Sequence, residues 1–198
     1  MIGVFTILLS SILAFKITGD GLKIGDTMPN ANLKLHDIHD HQTSISDVKK
    51  ENGTLVMFSC NTCPYVVKNQ QRTREICRYA IQNKIGVIVL NSNESQRTSD
   101  DSFDAMQVYG KQQLYDWPYA VDKDNILADA FGANRTPEVF LFDKNAKLTY
   151  HGAIDDNPSD PSNVTRHHLK EAINEMISGR EVTVKESRSV GCAIKRKD

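Results

Sequence analysis

The sequence predicts an α/β domain with a mixed central sheet flanked by helices and an added N-terminal β-hairpin. Two observations predict this class. Short apolar runs of strand length alternate with segments of helical periodicity, and two later strand-like runs follow each other directly across a turn. The alternation indicates parallel strands joined by crossover helices, and the adjacent runs indicate an antiparallel edge of the same sheet.

The individual elements follow from apolar spacing and from residues that start or stop helices. Pro64 is placed to open a helix, and Gly179 is placed to end the last one. The predicted order is a hairpin within 23–47, a strand over 54–59, a helix over 64–82, a strand over 85–90, helices over 102–114 and 125–131 around a strand over 119–121, a hairpin over 137–150 and a helix over 169–177.

Composition is that of an ordinary folded domain. The chain has 198 residues, 39% hydrophobic and 25% charged, so it can bury one core, which we place within residues 20–180. The formal net charge is −1, with Lys and Arg scattered along the chain. This balance indicates neither nucleic acid nor an anionic membrane surface as a partner.

The two ends of the chain differ from the domain. Residues 1–19 begin with an uncharged apolar run over 1–15, typical of the hydrophobic region of a signal peptide and short for a membrane span. We expect export, with the protein periplasmic or membrane-anchored facing the periplasm; a buried N-terminal helix or strand is the alternative. Residues 181–198 form a C-terminal tail that carries Cys192.

Cys60 and Cys63 lie three residues apart, where a buried strand meets a helix. One helical turn brings such a pair close enough for a disulfide. The dipole and free N–H groups of a helix N-terminus favour a thiolate, the attacking form of cysteine. We expect the pKa of Cys60 to be lowered and Cys63 to be more covered and to resolve the mixed disulfide. A half zinc site or two inert cysteines are the alternatives.

Thr136 and Pro137 precede the second predicted hairpin and are expected to face the cysteine pair. We predict a cis Thr136-Pro137 bond and an exposed Thr136 backbone that could pair with an extended substrate. Proline has no N–H to compete for the sulfurs. Glu138 is either an auxiliary proton acceptor for Cys63 or an edge-strand side chain that points to water.

The other cysteines are separate cases. Cys77 lies 14 residues beyond Cys63 on one predicted helix, about 21 Å along its axis, so these two cannot be bridged. Cys192 lies on a tail long enough to reach the Cys60 pair, so it is either an auxiliary redox residue or a free or structural thiol. No metal site is predicted at the isolated histidines.

Several segments together resemble the redoxin branch of the thioredoxin superfamily, specifically peroxiredoxin-like proteins with a Cys-Asn-x-Cys-Pro-Tyr motif. The resemblance implies a thioredoxin-like fold, redox-active Cys60 and Cys63, a cis Pro137 and a characteristic tail cysteine at Cys192. The matching segments are Lys23-Ile-Gly-Asp26, Phe58-Ser-Cys-Asn-Thr-Cys-Pro-Tyr-Val66, Arg135-Thr-Pro-Glu-Val-Phe-Leu-Phe-Asp143, Tyr150-His-Gly-Ala-Ile-Asp-Asp156 and Val190-Gly-Cys-Ala-Ile-Lys195.

The sequence departs from true peroxiredoxins and from thioredoxin at two places that bear on the expected reaction. Val56 and Cys60 stand where true peroxiredoxins carry a Pro and a Thr, if Cys63 is aligned with the peroxidatic cysteine. The strand before the motif also lacks the buried Asp of thioredoxin. We therefore expect a thiol-disulfide oxidoreductase without a cofactor, acting on protein or small disulfides and dithiols. The alternatives are an antioxidant thiol peroxidase that consumes peroxide and a Cu(I)-binding module, with His151 as an added ligand.

Overall fold

The computed structural model describes residues 21–197. The proposed signal peptide or anchor lies outside these residues. Within them, no helix is both long and apolar enough to cross a membrane. The strands are β1 (Leu35–His36), β2 (Gln42–Thr43), β3 (Thr54–Ser59), β4 (Gly86–Asn91), β5 (Tyr119–Val121), β6 (Arg135–Thr136), β7 (Glu138–Phe142), β8 (Leu148–Gly152) and β9 (Cys192–Ala193), and the helices are α1 (Ile45–Val48), α2 (Pro64–Gln82), α3 (Phe103–Gln112), α4 (Ile126–Phe131) and α5 (His168–Ile177).

The central sheet has the order β5-β4-β3-β7-β8. Strands β3, β4 and β5 run parallel, β7 is antiparallel to β3, and β8 is antiparallel to β7. Every residue of β3 and β4 is buried, which explains their continuous apolar sequences. The predicted α/β class, with a mixed sheet and flanking helices, is confirmed.

Two apolar clusters fill the spaces on either side of this sheet. Leu55 and Met57 belong to one cluster, and Val56 and Phe58 belong to the other, because successive side chains of a strand point to opposite faces. Cys60, Cys63 and Cys77 all lie in the first cluster. The two thiols of the motif are therefore part of the core.

The N-terminal hairpin is present but shorter than expected. Strands β1 and β2 pair antiparallel, whereas the apolar segment that starts at Ile45 forms helix α1 instead of continuing a strand. The cause is local: the hydroxyl of Ser44 accepts a hydrogen bond from the Asp47 N–H at 3.1 Å, which caps a helical turn.

The tail does not stay apart from the domain. Strand β9 returns to pair with β6, with Thr136 opposite Cys192 and Arg135 opposite Ala193. Burial of Ile194, which is 6% exposed, accompanies this pairing. The two-residue strands β6 and β9 lack the alternating pattern by which longer strands are identified from sequence.

Candidate active site

Three segments meet at one edge of the central sheet. Strand β3 ends at Ser59, directly before Cys60, and the parallel strand β4 ends beside it at Asn91. Strand β7 runs the other way and begins at this edge, where Glu138 is opposite Phe58. Parallel strands place their carboxyl ends together, so the topology brings the cysteine loop, the β4 loop and Thr136-Pro137 into one place.

The two cysteines of the motif both face Thr136. The Cys60 sulfur lies 3.4 Å from the Thr136 hydroxyl, and the Cys63 S–H donates to the Thr136 carbonyl at 3.3 Å. Cys60 is 1% exposed and Cys63 is 5% exposed. All four cysteines of the described chain are free thiols. The structure thus brings Cys60, Cys63 and Thr136 together in a reduced, nearly closed site.

The expected electrostatic order of the two thiols is wrong. Helix α2 begins at Pro64, so its N-cap is Cys63 and not Cys60. The Cys60 thiol is the main cause that lowers the pKa of Cys63, assisted by the Cys192 thiol and by the Val66 N–H. Hydrogen bonding to Cys63, burial and the nearby Asp101 carboxylate raise the pKa of Cys60.

Burial and the Thr136 carbonyl favour the neutral Cys63 thiol, but the surrounding donors outweigh them. These donors are the Cys60 thiol and the groups on Cys192 and Val66. Hydrogen bonds to the charged form favour that form, so we place the ionisable sulfur at Cys63. Cys60 is the less ionisable and marginally more covered thiol, contrary to the order of ionisation and burial expected from sequence.

The Thr136-Pro137 peptide bond is cis, as predicted. Glu138 does not point to water, because β7 is an interior strand and the residue is 6% exposed. Its carboxylate accepts hydrogen bonds from the N–H groups of Asn134 and Arg135, at 2.8 and 3.0 Å. We infer that Glu138 supports the turn that carries the cis proline.

His151 is held by the same carboxylate. Its Nε2 lies 2.8 Å from Glu138 Oε1, and its ring stacks on Phe140 at a centroid distance of 4.2 Å. Within residues 21–197, no group of three or more His, Cys, Asp or Glu side chains could hold a metal ion. The added copper ligand proposed from sequence is thus bound to Glu138 in this structure.

The Thr136 backbone is not exposed as predicted, because the chain's own tail covers it. Thr136 is 1% exposed and lies opposite Cys192 in the β6–β9 pair. Cys192 packs against the cluster that contains Cys60 and Cys63, and its thiol lowers the pKa of Cys63. The structure therefore places the tail cysteine at the site, a position that the sequence left open.

Sequence reasoning missed the buried polar network beneath the cysteine loop. The Asp101 carboxylate accepts hydrogen bonds from the Asn61 N–H at 2.9 Å, from Asn91 Nδ2 at 2.7 Å and from Asn93 Nδ2 at 2.8 Å. The Tyr119 hydroxyl donates to Asn61 Oδ1 at 2.9 Å. One signal was present: Asn91-Ser-Asn93 follows a buried strand at the sheet edge where ligands bind in α/β proteins.

A shallow groove of about 380 Å³ opens beside the motif, between the cysteine loop and α3. It is lined by Asn61, Thr62, Asp100, Asp104, Ala105, Val108, Tyr109 and Gln112. Val108 is 57% exposed, which is high for a branched apolar side chain. This groove offers apolar and acidic groups to a molecule that approaches the cysteines.

Comparisons with known proteins agree with this architecture. An uncharacterised conserved protein from Geobacillus kaustophilus is 29% identical, with a TM-score of 0.82 over 88% of this chain and 93% of that one. A hypothetical protein from Sinorhizobium meliloti is 27% identical, with a TM-score of 0.79 over 90% and 97%. A PrxQ mutant from Xylella fastidiosa, at 16% identity, has a TM-score of 0.57 over 81% and 98%, which shows the fold alone.

No curated protein matches the chain by sequence. The Redoxin family, in contrast, matches residues 23–167, which include both cysteines of the motif and the cis proline. The match agrees with the thioredoxin-like fold, and it covers most of the chain. The chain therefore belongs to the redoxin family.

Proposed function

We propose that the chain is a thiol-disulfide oxidoreductase that reacts through Cys63 and Cys60. The observation that carries the proposal is the placement of two free thiols against one residue at the start of α2, both within 3.4 Å of Thr136. An ionisable thiol next to a second thiol can attack a disulfide and then close an internal one.

In the proposed reaction, the Cys63 thiolate attacks a substrate disulfide. One substrate sulfur leaves as a thiolate and takes up a proton, and the other forms a mixed disulfide with Cys63. Cys60 then attacks the Cys63 sulfur, the second substrate thiol leaves, and a Cys60–Cys63 disulfide remains. The substrate disulfide is reduced by two electrons, and the protein dithiol is oxidised by two.

The proposed substrates are protein or small-molecule disulfides, and the reverse direction would oxidise dithiols. An exported, periplasmic or membrane-anchored location is part of the proposal, supported by the apolar run over residues 1–15. Reduction of oxidised glutathione and of a disulfide-bonded peptide under a dithiothreitol-recycling assay tests the activity. Cys63→Ser should abolish turnover, and retention of the wild-type rate in that variant would rule out the assigned attack.

Thiol peroxidase activity is the second candidate. Placement of Cys63 at the helix N-cap favours it, because a helix N-terminus stabilises the thiolate that would attack a peroxide. Peroxide consumption that survives Cys60→Ser but not Cys63→Ser would support this candidate. Peroxide consumption no faster than that of free cysteine would exclude it.

A further inference from the structure

The tail strand occupies the backbone edge beside the cis proline. Besides the Thr136 to Cys192 pairing, the Ile194 N–H donates to the Asn134 carbonyl at 3.0 Å. Gly191 lies so close that a Cβ there would fall 2.1 Å from the Thr136 oxygen. The backbones at Gly191 and Thr136 therefore lie very close together. This close packing sets the position of the next residue, Cys192, relative to Cys63.

Contacts beyond the strand keep the tail in place. The Lys195 N–H donates to Asn93 Oδ1 at 2.8 Å, and the Ser95 N–H donates to the Lys195 carbonyl at 3.0 Å. Arg196 forms an ion pair with Asp129 at 2.9 Å. Asn93 also binds Asp101, so the tail and the cysteine loop share one hydrogen-bond network.

Electrostatics change in favour of Cys192 once Cys63 has reacted. Burial raises the pKa of Cys192, and so do hydrogen bonding and charge from Cys63, whereas Lys195 and the Tyr65 N–H lower it. A Cys63 sulfur in a mixed disulfide carries no charge, so its contribution to the raised pKa of Cys192 disappears. Burial and Asp101 would still raise the pKa of Cys60.

We propose that Cys192 is a second resolving thiol of this site and forms a Cys63–Cys192 disulfide. This inference rests on the proposed function. The Cys192 thiolate attacks the Cys63 sulfur of the mixed disulfide, the substrate thiolate leaves and is protonated, and the tail becomes covalently closed. Attack by Cys60 on the same sulfur then moves the bond to Cys60–Cys63 and releases the Cys192 thiolate, with no net oxidation.

Single-turnover trapping with a disulfide-bonded peptide tests the proposal. In Cys60→Ser, the mixed disulfide should decay and leave a Cys63–Cys192 bridge, whereas in the Cys60→Ser, Cys192→Ser double variant it should persist. Trypsin separates the thiols, because Cys63 falls in residues 51–68, Cys77 in 75–78 and Cys192 in 189–195. The bridge is then detected by mass spectrometry as a cross-link of 51–68 to 189–195.

A thiol on the opposite face of β9 provides the matched control. Ala193→Cys, combined with Cys60→Ser and Cys192→Ser, keeps the same tail and the same number of thiols but turns the sulfur away from Cys63. It should trap the mixed disulfide as the double variant does. Equal trapping in Cys60→Ser and in the double variant, without the cross-link, would overturn the proposal.

Diamide oxidation of Cys60→Ser, without any substrate, separates this inference from the proposed function. A Cys63–Cys192 cross-link in a protein that fails to reduce disulfides would support the pairing and reject the function. Disulfide reduction by the wild type, with diamide producing only dimers through Cys63 in Cys60→Ser, would keep the function and reject the pairing. Buried Cys77 should stay unmodified in every variant.

Discussion

Cys63 is the sulfur whose ionisation depends on several neighbours, since the Cys60 thiol, the Cys192 thiol and the Val66 N–H all lower its pKa. The pKa of a thiol falls when its thiolate receives hydrogen bonds, and each lost donor should raise it again. Reactivity at this site is therefore set by neighbouring residues as much as by the helix.

Cys60→Ala should raise the pKa of Cys63, because the Cys60 thiol is the largest cause that lowers it. A lowered thiol pKa means that thiolate is present at lower pH, so the variant's alkylation midpoint should move to higher pH. The measurement is the rate of iodoacetamide labelling at Cys63 against pH, read from the fragment ions of peptide 51–68 that separate Cys60 from Cys63. Cys192→Ser should shift the midpoint the same way but less, and an unchanged or lower midpoint in Cys60→Ala would contradict the assignment.

Among the residues beneath the cysteine loop, Asp101 is the one whose substitution should most reduce stability and disulfide exchange. Its buried carboxylate accepts hydrogen bonds from Asn61, Asn91 and Asn93, so Asp101→Asn would set an amide N–H₂ against other donors. We expect a loss of about 1–3 kcal/mol in the free energy of unfolding and slower disulfide exchange. Urea denaturation measures the first quantity.

The exposed Asp116, which does not line the groove beside the motif, provides the control. Asp116→Asn makes the same chemical change without a buried partner, so both quantities should stay at the wild-type level. Equal stability of Asp101→Asn and Asp116→Asn would show that the network does not hold the loop.

Among the elements, those with long apolar patterns were predictable. The sequence of β3 and the proline at the start of α2 placed the cysteine loop correctly, and the helix ends near Gln82 as expected. The lowered pKa was expected at Cys60 and not at Cys63, because both cysteines lie near the helix start and the sequence does not show which sulfur receives the hydrogen bonds. Strands β6 and β9 are far apart in the sequence, so no local periodicity predicts that residues 192–193 pair with residues 135–136.

The β6–β9 pairing should be most sensitive to an added side chain at Gly191. Gly191→Ala would place a Cβ against the Thr136 backbone, which must shift to accept it. We expect the tail to loosen and trypsin to cleave the native protein faster after Arg188 and Lys195. Ser189→Ala is the control, because the Ser189 hydroxyl is buried without a hydrogen-bond partner within residues 21–197. Equal cleavage rates in the two variants would show that close packing at Gly191 does not hold β9.

At the scale of the whole molecule, a buried ion pair joins α2 to the segment that follows β8. Arg72 Nη1 lies 2.8 and 2.6 Å from the two oxygens of Asp155 and also donates to the Asn157 carbonyl at 2.8 Å. The Asp155 side chain is 1% exposed and that of Arg72 is 11% exposed. Because Cys63 is the N-cap of α2, this contact connects the helix of the site to the segment beyond the edge strand β8.

Asp155→Asn should destabilise the fold by about 3–5 kcal/mol, because it leaves the Arg72 charge buried without its carboxylate. Glu51→Gln is the matched control, since Glu51 and Lys84 form a pair whose side chains are 67% and 65% exposed, and exposed pairs contribute little. Urea unfolding of both variants at neutral pH measures the difference. If the two variants unfold at the same urea concentration, the Arg72–Asp155 pair does not stabilise the connection between α2 and the β8 side of the molecule.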